Sequence, residues 1–299
     1  MIFGHIGALL CVVMWGLSFV FTSVLQEAGM KPVEVYVDRF VIAYFLVLFI
    51  KPTKLFSNNW RDEFLLAVCG MLSGSVYFLA ENYALLYTTS YNVSLLTSTS
   101  PLLTTLLIML LYKSDRPGYG MIIGSIVAFL GVVCVIFNSG FSAGESKPLG
   151  PVGDILSLAA ALSWSFYSLL LKKLNANYDT WFITRKTFFY GVLTALPFII
   201  VNPPTFSVIE VVQHWNLLTN LLFLGLGASL IAFVLWAETV KKMGALKANN
   251  YMYLQPVVTL IAALILLGEK VTLIGIIGCI LILGGLWLGD YLTQRKQIK

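Results

Sequence analysis

The chain contains two copies of one long apolar pattern, about half the chain apart. Around Pro101 it reads SPLLTTLLIMLL and, further on, GMIIGSIVAFLG. Around Pro256 it reads QPVVTLIAALILL and, further on, GIIGCILILGG. Each copy carries two glycines seven positions apart: Gly124 and Gly131, then Gly278 and Gly285. A repeat of this length sets the architecture, and because both copies are apolar, the repeated unit is predicted to lie in lipid.

The composition supports a membrane protein. Hydrophobic residues make up 59% of the 299 and charged residues 11%, whereas an ordinary soluble domain is about a quarter charged. Too few charges are present to cover a soluble core of this size. The bilayer is therefore expected to be the solvent for most of the surface.

Ten segments are long and apolar enough to cross a bilayer, which takes about 20 residues of helix. They cover residues 3–25, 33–50, 64–86, 91–112, 118–138, 152–172, 180–201, 217–239, 246–268 and 272–291. We expect helices because lipid offers the backbone no hydrogen-bond partners.

The distribution of Lys and Arg predicts the orientation. With the N-terminus inside, thirteen of them fall in cytoplasmic loops or the C-terminal tail, and three, Lys31, Lys147 and Lys270, fall in the opposite loops. Cytoplasmic loops of membrane proteins carry such an excess. We therefore expect a multi-pass protein of the cell inner membrane with both termini in the cytoplasm.

Five spans in each copy is an odd number, so the second copy must enter the membrane upside down. The predicted repeats are residues 1–140 and 150–299, joined by the Gly-, Ser- and Pro-rich stretch NSGFSAGESKPLGP. The predicted fold class is thus an all-α membrane protein whose ten transmembrane helices form two inverted five-helix repeats.

Several motifs resemble the drug/metabolite transporter superfamily, in particular its ten-helix branch with two EamA-type repeats. They are Trp15-Gly16, Trp164-Ser165, the run YALLYTTSYNVSLLTSTSPLLTTLL and the run KKMGALKANNYMYLQPVVTLIAALILLGEKVTLIGIIGCILILGG. The first copy departs from the pattern, with SDRPG where the second has GEKVT. The resemblance implies transport of amino acids, other metabolites, nucleotide sugars or drugs, and it favours export.

Ionisable residues inside the spans suggest gates, because such groups are costly in lipid and usually functional. Arg39 and Glu81 lie at similar depth near the outer face, and Arg185 and Glu238 lie near the inner face. We predict an outer gate, Arg39 with Glu81, and an inner gate, Arg185 with Glu238, that open in turn. Glu81 is also a candidate proton carrier, since burial favours the protonated form of a carboxyl group.

The gates have structural alternatives. Arg39 has Asp38 as a neighbour, and its long side chain can also reach the headgroups. Glu238 has Lys241 and Lys242 one helical turn away on its own helix.

The middle of the membrane is the expected place for the cargo. Pro101 and Pro256 are predicted to kink their helices there, since proline removes a backbone hydrogen bond. The two tryptophans at matched positions are expected to face one central axis and to suit an aromatic or amphipathic cargo. The candidate substrate-binding residues are Trp15, Tyr77, Glu81, Asn82, Ser98, Trp164, Asn250 and Tyr253. The alternative is that hydroxyl stripes and small residues, including the paired glycines, serve helix packing.

Several classes of function lack their sequence signals. Both histidines stand near predicted membrane faces, and the four cysteines lie in apolar runs without CxxC spacing, which disfavours a metal site. No GxxxxGK[ST] phosphate loop and no basic run interleaved with aromatics is present. We therefore expect no enzyme activity, no metal, no cofactor and no nucleic-acid partner.

The sequence predicts a secondary transporter that exports small organic metabolites, amino-acid-like or otherwise amphipathic, by alternating access. Its expected partners are the lipid bilayer, the small-molecule substrate and, where Glu81 carries them, protons. Three alternatives stay open: a flippase of lipid headgroups or lipid-linked sugars, an intramembrane enzyme and a structural assembly partner. A flippase needs a basic pocket near one leaflet, for which Arg185 and Lys186 are the candidates.

Overall fold

The computed structural model of the chain describes residues 2–52, 54–111, 119–142, 150–243, 248, 250–269 and 272–297. Every regular element within these ranges is helical, as a lipid solvent requires. The SDRPG loop and most of the predicted linker lie outside the described residues.

The helices of the described ranges group into ten segments, α1 to α10, which coincide with the ten predicted spans. Their bounds are Ile2–Glu27 (α1), Pro32–Ile50 (α2), Trp60–Tyr87 (α3), Ser90–Thr97 with Ser100–Leu111 (α4), Tyr119–Ser142 (α5), Gly150–Leu174 (α6), Thr180–Val201 (α7), Trp215–Met243 (α8), Asn250–Leu254 with Gln255–Leu266 (α9) and Leu273–Gln297 (α10). A short helix, Val208–Gln213, precedes α8. In length and composition, α1, α3, α6, α7 and α8 are each able to cross a membrane as one continuous helix. The predicted all-α membrane fold is confirmed.

Contacts between helix ends define two faces of the bundle. On the N-terminal face, where α1 begins, Lys51 after α2 pairs with Asp179 before α7 at 3.1 Å. On the opposite face, where α1 ends, the Gln26 side chain donates to the Asn82 carbonyl near the end of α3 at 2.8 Å. The start of α6 packs there too, because Gly153 lies against the end of α3. The second half, α6–α10, therefore begins at the face opposite to that of the first half, α1–α5; the repeat limits 1–140 and 150–299 stay a prediction.

Two helices, α4 and α9, change conformation just before their prolines. In α4 the break falls at Ser98 and Thr99, just before Pro101; in α9 a 3₁₀ turn precedes the α-helix that starts at Gln255, just before Pro256. Both prolines thus occupy the first turn of a new helix, where the missing N–H costs little. The Ser100 hydroxyl donates to the Thr97 carbonyl at 2.6 Å, which is the acceptor that Pro101 leaves without its helical donor.

Each broken helix is held by the first helix of the other half. The Thr259 hydroxyl of α9 donates to the Gly16 carbonyl of α1 at 2.8 Å. The Ser165 hydroxyl of α6 donates to the Ser100 carbonyl of α4 at 2.9 Å. The Trp-Gly and Trp-Ser motifs therefore mark two hydrogen-bonded contacts between the halves.

The middle of α3 and the middle of α8 are π-helical, over Met71–Val76 and Phe223–Ile231. Each carries a glycine against a neighbouring helix: a Cβ on Gly74 would lie 2.8 Å from the Gly191 Cα, and one on Gly225 would lie 2.8 Å from Ile42 Cγ2. Wide turns of this kind are frequent at functional sites. The hydropathy pattern did not predict them.

The paired glycines bring α5 and α10 into backbone contact. A Cβ on Gly124 would lie 2.5 Å from the Gly285 carbonyl oxygen, and one on Gly131 would lie 2.7 Å from that of Gly278. The packing alternative considered for these glycines is what the structure shows. The outward sides of the two helices expose large apolar residues such as Phe129 and Ile280, which suits lipid rather than water.

Candidate functional site

A small cavity lies between the halves at the level of the π segments. Its volume, measured as the space open to the centre of a water molecule, is about 20 Å³, which is room for about one water. Residues of α1, α2, α3, α6, α8 and α9 line it: Trp15, Ser18, Phe19, Arg39, Tyr77, Phe78, Glu81, Trp164, Phe233, Met252 and Gln255. A metabolite fits there only after the walls have moved apart.

The two motif tryptophans meet at this cavity. The ring centres of Trp15 and Trp164 are 5.7 Å apart with an edge-to-face angle of 80°, a favourable geometry for aromatic pairs. The Trp15 indole N–H donates to the Ala228 carbonyl in the π segment of α8 at 2.9 Å. The buried indole N–H of Trp164 has no acceptor in the described part of the chain. Tyr77 packs on Trp164 with ring centres 5.3 Å apart.

Arg39 reaches the cavity from α2 and is fully buried. Its Nε donates to the Ser229 hydroxyl, again in the π segment of α8, at 2.9 Å. Its guanidinium lies 4.5 Å from the centre of the Phe78 ring, within cation–π range. Both Nη atoms are buried and have no hydrogen-bond partner among the described residues. Ser229 and Phe78 thus orient this guanidinium.

Glu81 and Gln255 supply acceptors on the same cavity. Both side chains are buried, with 2% and 3% exposure, and the Oε1 atom of each lacks a hydrogen-bond donor among the residues that the structure describes. Glu81 interacts electrostatically with Arg39. The ion pairs within 4.0 Å in the described chain are two others, Lys51–Asp179 and Lys186–Glu63. The proposed outer gate therefore has both its members at the cavity, but they do not form a closed ion pair.

Asn82, Ser98 and Tyr253 are not among the described residues that line this cavity. Asn82 donates to the Pro32 carbonyl at 2.9 Å and holds the start of α2 against α3. Ser98 donates to the Ser94 carbonyl at 2.8 Å within the break of α4. Tyr253 packs on the apolar cluster shared by α4, α5 and α10. The side chain of Asn250 is outside the described part of the chain.

Sequence reasoning missed several lining residues. Gln255 had a signal, since a polar residue next to the proline of an apolar span is conspicuous. Phe78, Phe233 and Met252 had none, because apolar residues within apolar spans give no sign of which helix face they occupy.

A polar cluster closes the N-terminal face around Glu63 of α3. Lys186 of α7 forms a buried ion pair with it, the Tyr190 hydroxyl donates to it, and the Ser57 backbone N–H donates to it at 2.7 Å. We call these four residues the Glu63 cluster. It ties the first half to the second, because α3 and α7 belong to different halves.

Arg185 and Glu238, the predicted inner gate, do not form an ion pair within 4.0 Å in the described part of the chain. Arg185 donates to the Lys54 carbonyl of the α2–α3 loop, and Glu63 acts on it electrostatically. Glu238 is partly exposed on α8 and forms no ion pair within 4.0 Å with any described residue. The prediction for Glu238 rested on depth along the helix, and depth alone does not give the helix face or the neighbour.

Hydrogen bonds reinforce the N-terminal face outside the membrane helices. The Tyr178 hydroxyl, between α6 and α7, donates to Asp62 at 2.6 Å. Burial and this bond to Asp62 raise the pKa of Tyr178.

Two carboxylates close the opposite face by accepting from backbone N–H groups. Glu34 of α2 accepts from Thr205 at 2.9 Å and from Phe206 at 3.0 Å, both in the α7–α8 loop. Glu269 of the GEKVT motif accepts from the backbone N–H of Ser90, the first residue of α4, at 2.8 Å. An anion at a helix N-terminus is stabilised there. The halves are thus joined at both faces, with the cavity between.

Within the described residues no group of three His, Cys, Asp or Glu side chains is arranged to hold a metal ion.

Comparison with known proteins gives the family context. The model described as "EamA-like transporter family" matches residues 2–137 and 151–289. An uncharacterized transporter of Clostridium kluyveri is 27% identical over 98% of this chain and 94% of that protein. A probable terminal-alkyne amino-acid exporter of Streptantibioticus cattleyicolor is 25% identical over 79% of this chain and 76% of that protein. One solved crystal structure, 18% identical, superposes with a TM-score of 0.69 over 98% of both chains, which shows a shared fold.

Proposed function

Since this chain belongs to the EamA-like transporter family, we propose that it exports small organic metabolites, amino-acid-like or otherwise amphipathic, across the inner membrane by alternating access. The observation that carries the proposal is the cavity between the halves, where buried donors and acceptors of Arg39, Glu81, Trp164 and Gln255 lack partners among the described residues. Buried polar groups are ordinarily paired. A set of unpaired polar groups that converges on one cavity supports a ligand-binding role for it.

In alternating access, one end of the cavity opens while the other end stays closed. The Glu63 cluster joins the halves at the N-terminal face, and the bonds of Glu34 and Glu269 join them at the opposite face. We assign these contacts as the two closures. Met252 in the 3₁₀ turn of α9 lines the cavity, and Trp15 and Arg39 on its wall donate to the π segment of α8, so local rearrangement of these elements would widen it.

The gating roles follow from these contacts. Arg39 and Glu81 stay in the proposal as the ligand-sensitive pair at the cavity. Arg185 and Lys186 hold the N-terminal closure, in which Glu63 takes the acidic role first given to Glu238. Two ends closed by different chemistry, a buried ion pair at one and backbone N–H groups on carboxylates at the other, allow the ends to open separately.

The direction and location of transport rest on indirect support. A relative 25% identical to this chain is named a probable exporter of an amino acid, which favours export of an amino-acid-like cargo. The excess of Lys and Arg in alternate loops favours cytoplasmic termini in the inner membrane. Glu81 is the proposed proton carrier in a proton-coupled version of the cycle.

The flippase alternative finds no support in the geometry. A flippase would keep a basic pocket open to one leaflet, whereas Arg185 and Lys186 are engaged with Lys54 and Glu63.

The experiment that tests the function compares the extracellular metabolites of cells that overproduce the wild-type protein with those of cells that produce Arg39→Gln. Lys241→Gln is the matched control, because Lys241 is exposed and is not among the residues that line the cavity. We expect a set of exported compounds that is present with the wild type and the control and absent with Arg39→Gln. Identical profiles for all three proteins and an empty vector, at equal membrane abundance, would contradict the proposal.

A further inference from the structure

An open groove lies on the surface of the bundle at the N-terminal face, between the start of α3 and the end of α6. Its volume, on the same measure as that of the cavity, is about 420 Å³, and its lining residues are Trp60, Arg61, Phe64, Leu65 and Lys173. None of them is among the residues that line the central cavity. We propose that this groove binds an anionic phospholipid, with the phosphate on Arg61 and Lys173 and an acyl chain along Phe64 and Leu65. The proposal goes beyond the proposed function and does not depend on the cargo.

The groove stands at the level where the membrane meets water. The membrane-spanning stretch of α3 starts at Trp60, and that of α6 ends at Leu171, two residues before Lys173. Tryptophan rings prefer the headgroup layer, and long cationic side chains at helix ends reach towards the phosphates. In the predicted topology this face is cytoplasmic, and the cytoplasmic leaflet is the one whose anionic lipids attract basic residues.

The apolar side chains of the groove are far more exposed than water favours. Trp60 is 87% exposed, and Phe64, one helical turn deeper in the membrane, is 67% exposed. Residues four positions apart lie on one face of a helix, and Leu65 adjoins them in the groove. An acyl chain along this face would bury apolar surface that no described residue covers.

The two cations of the groove are available to an anion. Arg61 and Lys173 are both exposed, and neither forms an ion pair with another described residue. The carboxylates next to Arg61 in the sequence have other partners: Asp62 accepts from the Tyr178 hydroxyl at 2.6 Å, and Glu63 pairs within its own cluster. The complementary ligand is therefore an anion at the depth of the headgroups, which is where a lipid carries its phosphate.

A lipid in the groove would contact both halves of the protein. Arg61 and Phe64 belong to α3 in the first half, and Lys173 belongs to α6 in the second. Glu63, the centre of the N-terminal closure, lies in the same turn of α3 as these two residues. A bound lipid should therefore favour the closed form of the N-terminal face, because a separation of α3 from α6 would divide its site.

The test is native mass spectrometry of the full-length protein in detergent. The probes are dioleoyl phosphatidylglycerol, which is anionic, dioleoyl phosphatidylcholine, which has the same chains and no net charge, and glycerol phosphate, which has the anionic group without the chains. A Lys or Arg near the surface contributes about fivefold to the affinity for an anionic lipid. With two such residues, we expect phosphatidylglycerol to bind more than about tenfold more tightly than either other probe. Equal affinities for the two lipids, or for phosphatidylglycerol and glycerol phosphate, would overturn the proposal.

Variants then assign the phosphate to its residues. Arg61→Gln and Lys173→Gln should each weaken phosphatidylglycerol by about fivefold and leave phosphatidylcholine unchanged. The double variant should lose the preference for the anionic lipid. The matched control is Lys241→Gln with Lys242→Gln, since both lysines are exposed near the N-terminal face and neither lines the groove. A control that loses the preference to the same extent would reduce the effect to net charge and overturn the site.

The acyl contact is tested by Phe64→Ala. The ring is exposed, so its removal should leave the fold intact. We expect it to weaken both lipids by the same factor and to keep the preference for phosphatidylglycerol. Unchanged affinity for both lipids would overturn the acyl contact. As a second measurement, phosphatidylglycerol should raise the thermal unfolding midpoint of the wild type and of the lysine control but not that of the Arg61→Gln, Lys173→Gln variant. An equal rise in all three would contradict the site.

Failure of this proposal is separable from failure of the proposed function, because the groove and the cavity share no lining residue. Export by a protein without lipid preference would preserve the transporter and overturn the groove. Lipid preference without export of any compound would preserve the groove and overturn transport. Movement of labelled phosphatidylglycerol between the leaflets of reconstituted vesicles would overturn the assignment of a resident lipid.

Discussion

At the scale of single residues, hydrogen bonding separates two tryptophans that the sequence presents as equivalent. Trp15 donates to the Ala228 carbonyl in the π segment of α8, whereas the Trp164 N–H has no acceptor among the described residues. Both rings are buried at the same cavity. Trp15 therefore has a structural role that Trp164 lacks, and Trp164 keeps a donor for the ligand.

This difference predicts opposite effects of one conservative substitution. Trp15→Phe leaves a buried carbonyl without its donor and should lower the free energy of unfolding by about 1–3 kcal/mol. Trp164→Phe breaks no protein hydrogen bond and should change stability less, while it weakens substrate binding. Thermal unfolding in detergent measures the stability of each variant, and the comparison of extracellular metabolites measures its transport. Equal loss of stability in the two variants would contradict the distinction.

The sequence predicted part of the site for a physical reason. Trp15, Tyr77, Glu81 and Trp164 are bulky or charged in spans where such groups need a purpose, and all four line the cavity. Asn82 is also a polar residue within an apolar span, yet its side chain holds the start of α2 against α3. Which face a residue occupies depends on helix rotation, and in α3 that rotation changes within the π segment.

At the scale of helices, hydropathy located all ten segments because length and apolarity are local properties. The breaks in α4 and α9 were foreseen as kinks at Pro101 and Pro256. The actual breaks also depend on serine and threonine hydroxyls that take backbone carbonyls, such as Thr97 on Val93 and Thr99 on Leu96. The π segments escaped prediction, since they accommodate neighbouring helices that hydropathy does not specify.

The backbone contact between α5 and α10 predicts a sharp contrast between adjacent positions. In Gly285→Leu the new Cβ would lie 2.5 Å from the Ala128 nitrogen and 2.7 Å from the Gly124 carbonyl oxygen. Backbone atoms cannot move aside as a flexible side chain can. We therefore expect Gly285→Leu to lower the free energy of unfolding by about 1–3 kcal/mol or more. In Gly284→Leu the Cβ meets nothing within 4 Å, and stability should hold. Folded yield after detergent extraction compares the two, and equal yields would contradict the packing.

The Glu63 cluster predicts a coupled pair. Removal of one partner leaves the other buried without its counterion. We therefore expect Lys186→Met and Glu63→Gln each to lower the free energy of unfolding of the closed form by about 3–5 kcal/mol. The double variant should lose much less than the two single losses combined. Thermal unfolding of the four proteins gives the coupling. Additive losses would show that the ion pair does not hold the N-terminal closure.

At the scale of the whole molecule, the two halves enter the membrane in opposite directions and interlock through α1 with α9 and α6 with α4. The odd number of spans per repeat predicted the inversion, because a repeat with an odd number of spans ends on the opposite side of the membrane from where it began. The sequence did not reveal how the two ends close. The contacts of Glu34, Glu63 and Glu269 are hydrogen bonds and an ion pair with residues far away in the sequence. The local sequence around each glutamate does not indicate which residues these are.

The central claim is that one cavity between the halves opens to each face in turn, and a single cysteine at Ser18 tests it. Ser18 lies on the cavity wall and is buried. Ser18→Cys is introduced after the four native cysteines are replaced, and a membrane-impermeant thiol reagent is applied to each side of oriented vesicles. Ile126→Cys, on the exposed apolar side of α5, is the lipid-facing control. The account predicts that Ser18→Cys reacts from both sides, that substrate slows both reactions and that the control reacts from neither. Reaction of Ser18→Cys from one side alone, or from neither under all substrate conditions, would contradict it.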